Sequence, residues 1–221
     1  MENQIDLQGK MVEETFKIAK DFIGKLVNPA LEEGGGLIKD NIAYWRFKNQ
    51  INLIIKVKKF LEEKGISPRK VLPKTLISIL ENGSLEEDNY MQNKWASLLA
   101  NSSNPNYSEE IKPSYTEILK ELSSIEVKLL DKMFEEFNKK PTENEYEIEF
   151  NKDVVCKKLN ISENEYDVLA DNLIRLNLCQ PAPLRGLSLG SVSTNQPAII
   201  RSKKISYLTP LGYNFIKACR F

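Results

Sequence analysis

The stretch KDVVCKKLNISENEYDVLADNLIRLNLCQPA, residues 152–182, changes its local chemistry three times. KDVVCKKL reads as a short helix, and Asn160 with Ile161 forms a tight link after it. Ser162 then stands three residues before Glu165, the spacing at which a hydroxyl and a carboxylate satisfy orphan amides at a helix start. The helix opened there is expected to run to about Asn177. Residues 178–182 follow as a strand. Working outward, EYEIEF (residues 145–150) alternates Tyr146, Ile148 and Phe150 with three glutamates, the period of a strand with one wet face. Before it, SSIEVKLLDKMFEEF (residues 123–137) is a helix, with Ser123 and Glu126 again at capping-box spacing, and residues 114–122 form a shorter one. After it come a loop rich in Pro, Gly and Ser over residues 183–197 and a strand over residues 199–208. Thr209 as cap and Pro210 in the first turn start a last helix.

From residue 123 the order is therefore helix, strand, helix, helix, strand, long loop, strand, helix. That is the order of a winged helix-turn-helix. The predicted fold is mainly α, with an N-terminal helical domain over residues 1–112 and a small α+β winged-helix domain over residues 113–221. In the first part, apolar residues from Leu7 to Leu26 recur at helical spacing. Gly34, Gly35 and Gly36 break the chain before a second helix, expected over residues 37–63 and closed at Lys64-Gly65. PKTLISIL (residues 73–80) is a shorter helix. SLEE predicts a further helix capped by Ser84, with Met91, Trp95, Leu98 and Leu99 as its buried stripe.

The chain has 221 residues, enough for a sizeable core, and its 41% hydrophobic and 28% charged residues exclude disorder. Lys and Arg total 31, as do Asp and Glu, so the molecule as a whole is not drawn to nucleic acid or acidic lipid. Histidine is absent. This excludes Ser-His-Asp and Cys-His catalysis, the zincin helix, mixed Cys and His zinc sites and His-dependent ribonucleases. Cys156, Cys179 and Cys219 form no C-x-x-C pair, which fits a reducing compartment. The first residues do not resemble a secretory signal, and no run of about 18 apolar residues occurs. A cytoplasmic location is expected.

Three motifs suggest chemistry and have plainer explanations. The triple glycine is followed by no Gly-Lys-Ser/Thr and preceded by no strand, so it reads as a hinge and not a phosphate loop. Glu62-Glu63-Lys64 and Glu126-Val127-Lys128 carry the letters of a carboxylate metal nuclease, but sit in helices with no strand scaffold. INLIIKVKKFLEEK resembles a basic amphipathic helix, yet Glu62 and Glu63 dilute its charge, and a core helix with solvated lysines accounts for it. No cofactor or metal is expected.

Charge is distributed unevenly at the C-terminal end. From Asp171 onward there is one acidic residue against seven basic ones, whereas residues 113–170 hold fourteen acidic against eight basic. Arg185, Arg201, Lys203 and Lys204 fall on the wing and its strand, where they could grip a phosphate backbone without reading sequence. The helix that would enter a major groove presents Glu163, Asn164, Asp167 and Asp171, with Arg175 only near its end, and carboxylates there oppose DNA. The favoured partner is therefore a protein, or a second copy of the chain, that meets the basic wing.

The central part carries a family resemblance. NPALEEGGGLIKDNIAYWRFKNQINLI, VLPKTLISILENGSLEEDNYMQNKWASLLANS and SYTEILKELSSIEVKLLDKM together resemble the abortive infection alpha family of bacterial proteins. The resemblance spans about residues 28–133, and its most specific parts are residues 84–100 and the WRFKN segment, residues 45–49. Trp45, Arg46, Asn49, Ser84, Glu87 and Trp95 match the family pattern. The resemblance implies phage defence through arrest or death of the infected cell, and it carries no catalytic residues. Simple structural roles suit these positions: Trp95 in the core, Ser84 and Glu87 as a cap, and Arg46 paired with a carboxylate. The expectation is a non-enzymatic abortive-infection protein that binds a host or phage component. A winged-helix DNA-binding regulator and a metal-dependent nuclease are the alternatives.

Overall fold

A computed structural model describes residues 2–26, 44–139, 152–181 and 205–221. Within them are nine helices and two short strands: α1 (Glu2–Leu26), α2 (Tyr44–Glu63), α3 (Pro73–Gly83), α4 (Asn89–Ser103), α5 (Ser114–Glu121), α6 (Ser124–Lys139), α7 (Lys152–Leu159), α8 (Glu163–Arg175), β1 (Cys179–Pro181), β2 (Ile205–Leu208) and α9 (Pro210–Ala218). The expected strand over residues 145–150, the triple glycine, the wing loop and the start of the second expected helix lie outside the described residues.

The chain forms two compact units, Met1–Ser124 with Ala218–Phe221, and Ile125–Lys217. The expected boundary after residue 112 would have put α5 with the second unit. Its packing is against α3 instead, where Ser78 Oγ donates to Thr116 Oγ1 at 2.9 Å, and Tyr115, Ile118 and Leu119 are buried.

In the first unit α4 is the central helix, packed by α2 and α3. From Met91 to its end only Asn93 is exposed, and Trp95, Leu98 and Leu99 are fully enclosed. Ala19, Phe22 and Leu26 of α1, Ile51, Leu53, Ile54, Val57 and Leu61 of α2, and Leu76 and Ile79 of α3 complete the core. Their three- and four-residue spacings are those of single buried helix faces.

In the second unit β1 pairs antiparallel with β2, matching Cys179 with Leu208, Gln180 with Tyr207 and Pro181 with Ile205. The register slips between Gln180 and Pro181, where proline has no amide to offer the ladder. Val127, Leu130, Met133, Tyr166, Leu173 and Phe215 are buried, and Tyr213 packs between Phe134 and Phe137 at centroid distances of 5.0 and 5.1 Å.

Local chemistry explains the helix ends. Gly65 after α2, Asn160 after α7 and Asn177 after α8 all have positive φ, and the amides of Ile66, Ile161 and Leu178 reach back to Leu61, Cys156 and Leu173. This is the left-handed C-cap that satisfies otherwise orphaned carbonyls, and Gly and Asn adopt it with least strain. Ser162 caps α8 as expected, its hydroxyl accepting from the Glu165 amide at 3.2 Å. Thr209 caps α9, accepting from the Gly212 amide at 2.9 Å while donating to the Asn177 carbonyl at 2.6 Å. Ser84 does not cap α4. Asp88 does, accepting from the Tyr90 amide at 2.7 Å, and α4 begins at Asn89.

Candidate functional site

Ser84 has another task, and the other family-pattern residues explain it. It follows the C-terminus of α3, where helix geometry leaves carbonyls without intrahelical partners. One face of α2 supplies donors to this end. Asn49 Nδ2 donates to the Ser84 carbonyl at 3.0 Å, Gln50 Nε2 to the Leu80 carbonyl at 3.5 Å, and an Arg46 terminal nitrogen to the Glu81 carbonyl at 3.3 Å. Arg46 Nε also reaches Ser84 Oγ at 3.4 Å, while that hydroxyl donates to the Glu81 carbonyl at 2.8 Å. Among the described residues Arg46 therefore serves one main-chain carbonyl and a hydroxyl, where a carboxylate was expected. Its positive charge also suits the negative end of the α3 dipole.

The stripe continues along α2. Lys56 Nζ donates to Gln92 Oε1 at 2.9 Å and reaches Asn89 Oδ1 at 3.4 Å, and Gln92 returns a hydrogen bond to the Glu86 carbonyl at 2.8 Å. Partial burial lowers the Lys56 pKa. Positions 46, 49, 50 and 56 recur with the helix, so a polar stripe was present in the sequence. Reading it as solvated lysines missed Gln50, Lys56 and Gln92.

Beneath this polar layer the packing is close. A methyl group on Gly83 would stand 2.6 Å from Leu53 Cδ1 and 3.1 Å from Trp95 Cβ, so a larger residue here would require Leu53 to shift and Trp95 to give. Trp95 is fully buried, as expected. Its indole N–H is near enough to Glu86 to lower that carboxyl's pKa without completing a well-formed hydrogen bond. Burial, the largest influence, and the charge of Asp88 act the other way, and the net shift of Glu86 is upward. Glu87 is exposed, and Trp45 falls in the first turn of α2.

Residues 218–221 complete the first unit. Asn101, nearly inaccessible on α4, donates through Nδ2 to the carbonyls of Ala218 at 2.8 Å and Arg220 at 2.9 Å. Phe221 stacks on Phe60 with centroids 5.8 Å apart, and Lys64 Nζ lies 4.2 Å from the centre of its ring.

In the second unit, Lys152 at the start of α7 crosses to α8. Its ammonium lies 2.7 Å from Asp167 Oδ1 and 3.5 Å from Glu163 Oε2, and the hydrogen bond to Asp167 raises its pKa most. Two of the carboxylates that oppose nucleic acid are thus paired within the unit. Asn164, Val168 and Asp171 remain on the exposed side, with Val168 69% exposed. The proposed contact residues Arg185, Arg201, Lys203 and Lys204 lie outside the described residues.

The carboxylates of the nuclease motifs are engaged within their own units. Glu62 and Glu63 pair with Lys58 and Lys59 one turn earlier, and Glu126 is buried, accepting from Asn172 at 2.6 Å. No group of three or more potential metal ligands occurs among the described residues. All three cysteines are buried, and burial pushes the Cys179 thiol well above its ordinary range. No helix among the described residues is long and apolar enough to cross a membrane.

Apart from Arg46, the α2 stripe, the α3 end and the α4 core fall within the part of the chain that a family model matches. The model for abortive infection alpha covers residues 47–219. The chain belongs to the abortive infection alpha family. The match extends well past the resemblance ending near residue 133, so the α7–α9 region is part of the family unit. Asn49, Ser84, Glu87 and Trp95 lie inside it, whereas Trp45 and Arg46 immediately precede it. No curated protein and no solved structure matches the chain significantly.

Proposed function

We propose that this chain is a bacterial abortive-infection defence protein that works in the cytoplasm without catalysis, by binding a host or phage component. The observation that carries this reading is the family match over residues 47–219. The buried residues of the family pattern have structural roles, which is in keeping with a reading without catalysis. Ser84 is fully buried and its hydroxyl is engaged with Glu81 and Arg46, while Asn49 and Arg46 close the end of α3. A side chain committed in this way holds the fold and is not free to attack a substrate. The basic segment containing Arg185, Arg201, Lys203 and Lys204 is the proposed contact with an acidic protein partner, or with the acid-rich region of a second copy.

Phage plaquing across a panel, on cells carrying the chain or an empty vector, tests the defence role. Fewer plaques, with culture protection only at a low phage-to-cell ratio, is the expected outcome. Charge reversal at Arg201, Lys203 and Lys204 together should abolish protection while leaving the protein folded.

A second reading is a winged-helix DNA-binding regulator. It is favoured by the order α7, α8, β1, β2, α9 and by the Lys152 pairs, which lessen the repulsion between α8 and phosphate. DNA binding that weakens steeply with salt and is lost on the same charge reversal would favour this reading. A metal-dependent nuclease would instead cleave nucleic acid only with divalent metal present.

A further inference from the structure

Helix α8 buries one face and leaves the opposite one uncovered. Tyr166, Ala170 and Leu173 are buried at the spacing of a single inward face. On the other side Asn164, Val168 and Asp171 fall one turn apart in a stripe flanked by Glu165 and Asp167, and all five are exposed. Val168, at 69%, is the most exposed large apolar side chain among the described residues. The helix carries Glu163, Glu165, Asp167 and Asp171 against Arg175 alone. Lys152, shared by Asp167 and Glu163, offsets only one of those charges, and the side chains of both partners stay more than half exposed. The outward face is therefore an apolar centre within an acidic rim.

The complement to this face stands in the same sequence. Residues 197–204, PAIIRSKK, set Ile199 and Ile200 beside Arg201, Lys203 and Lys204, and no acidic residue occurs anywhere after Asp171. Phosphate would meet like charge on α8, whereas a cationic segment with apolar side chains meets opposite charge and an apolar contact. Val168 stays exposed in the single chain, so its cover comes from another molecule, and every copy carries the matching segment. One helix face and eight residues bury less than the roughly 1,200 Å² of stable complexes, so the contact is weak and forms at raised concentration. Face and segment differ, which makes the contact head-to-tail and able to join more than two copies.

We propose that the exposed face of α8 is the docking surface for the basic segment of a second copy, whose isoleucines cover Val168 and whose cations lie against Glu165, Asp167 and Asp171. This rests on the reading of that segment as a protein contact and names its partner.

The test is sedimentation velocity of the full chain over a concentration series at low and high salt. The mass should rise with concentration, and less so in high salt. The double variant Val168→Lys with Asp171→Lys, both at exposed positions, and the triple variant Arg201→Glu with Lys203→Glu and Lys204→Glu should each weaken self-association about tenfold, the scale of a few screened charge contacts. Mixing the two variants should restore it, because a reversed face then meets a reversed segment. An end-blocked peptide of residues 197–204, added to the full chain, should shift the amides of residues 164–171 saturably, and the double variant should abolish those shifts; this arm holds even where the triple variant does not fold. The proposal is overturned if the chain stays monomeric throughout, if the double variant associates as the parent does, or if mixing restores nothing. Loss of protection from phage in the triple variant, with the double variant protecting normally, would keep the partner-binding reading and overturn this one.

Discussion

Asn101→Ala should be among the most damaging single changes in the first unit. The side chain is 3% exposed and one nitrogen serves two carbonyls, at 2.8 and 2.9 Å. Each intramolecular hydrogen bond contributes about 1 kcal/mol net, and a carbonyl left buried without a partner costs a further 1 to 3 kcal/mol or so. Removal of the amide breaks both bonds and strands the enclosed Ala218 carbonyl, while Arg220 is half-exposed and its carbonyl can recruit water. The expected loss is about 2 to 5 kcal/mol. Both tryptophans, Trp45 and Trp95, belong to the first unit, so tryptophan emission during urea unfolding reports on that unit alone. With a urea dependence of about 2 kcal/mol per molar, the midpoint should fall by about 1 to 2.5 M. Asn101→Asp should be at least as harmful, because it sets a carboxylate against two carbonyl oxygens. A midpoint that moves by less than about 0.2 M in Asn101→Ala would refute the idea that residues 218–221 are an integral part of this unit.

Other perturbations separate local from long-range causes. Gly212→Ala would drive a methyl group into the Leu178 carbonyl, an overlap with backbone that rotamer changes cannot relieve, so a loss of about 3 kcal/mol or more is expected in thermal or urea unfolding. Near-normal stability would show that α9 has room to shift. Glu86 has a raised folded pKa, so its ionisation opposes folding and stability from this group should grow as pH falls through that pKa. Glu86→Gln should remove that pH dependence between neutrality and about pH 4, measured as the difference in urea midpoint from the parent chain. Lys152 has a raised pKa too, but as a base its contribution is complete below about 10.5 and declines as pH rises through the folded value. The alkaline decline in stability should therefore be shallower in Lys152→Met, and an identical decline would show that the pairs to Asp167 and Glu163 are not felt in solution.

Much of the fold was legible because its signals are local. Ser162 before α8, Thr209-Pro210 before α9 and Gly65 after α2 each act on amides or carbonyls within a few residues, and their spacing alone defines the geometry. The buried stripe of α4 was legible for a related reason, since Met91, Trp95, Leu98 and Leu99 keep helical period. Ser84 was misread because S-x-x-E spacing is necessary for a capping box without being sufficient. Asp88 takes the cap one turn later, and Ser84 is drawn into the end of α3 by partners 35 and 38 positions away. Asn101 gave no signal at all, because its partners are 117 and 119 positions distant. Arg46 illustrates the same limit: the sequence shows a cation, while the choice between carboxylates and helix-end carbonyls depends on where α3 stops.

The most direct test of non-catalytic abortive defence is survival of infected cells at a high phage-to-cell ratio, measured beside plaque counts in cells carrying the chain or an empty vector. The account predicts fewer plaques and lower phage yield, with infected cells dying or arrested at the high ratio. Infected cells that clear the phage and resume growth, or equal plaque numbers and yields with and without the chain across the panel, would contradict it.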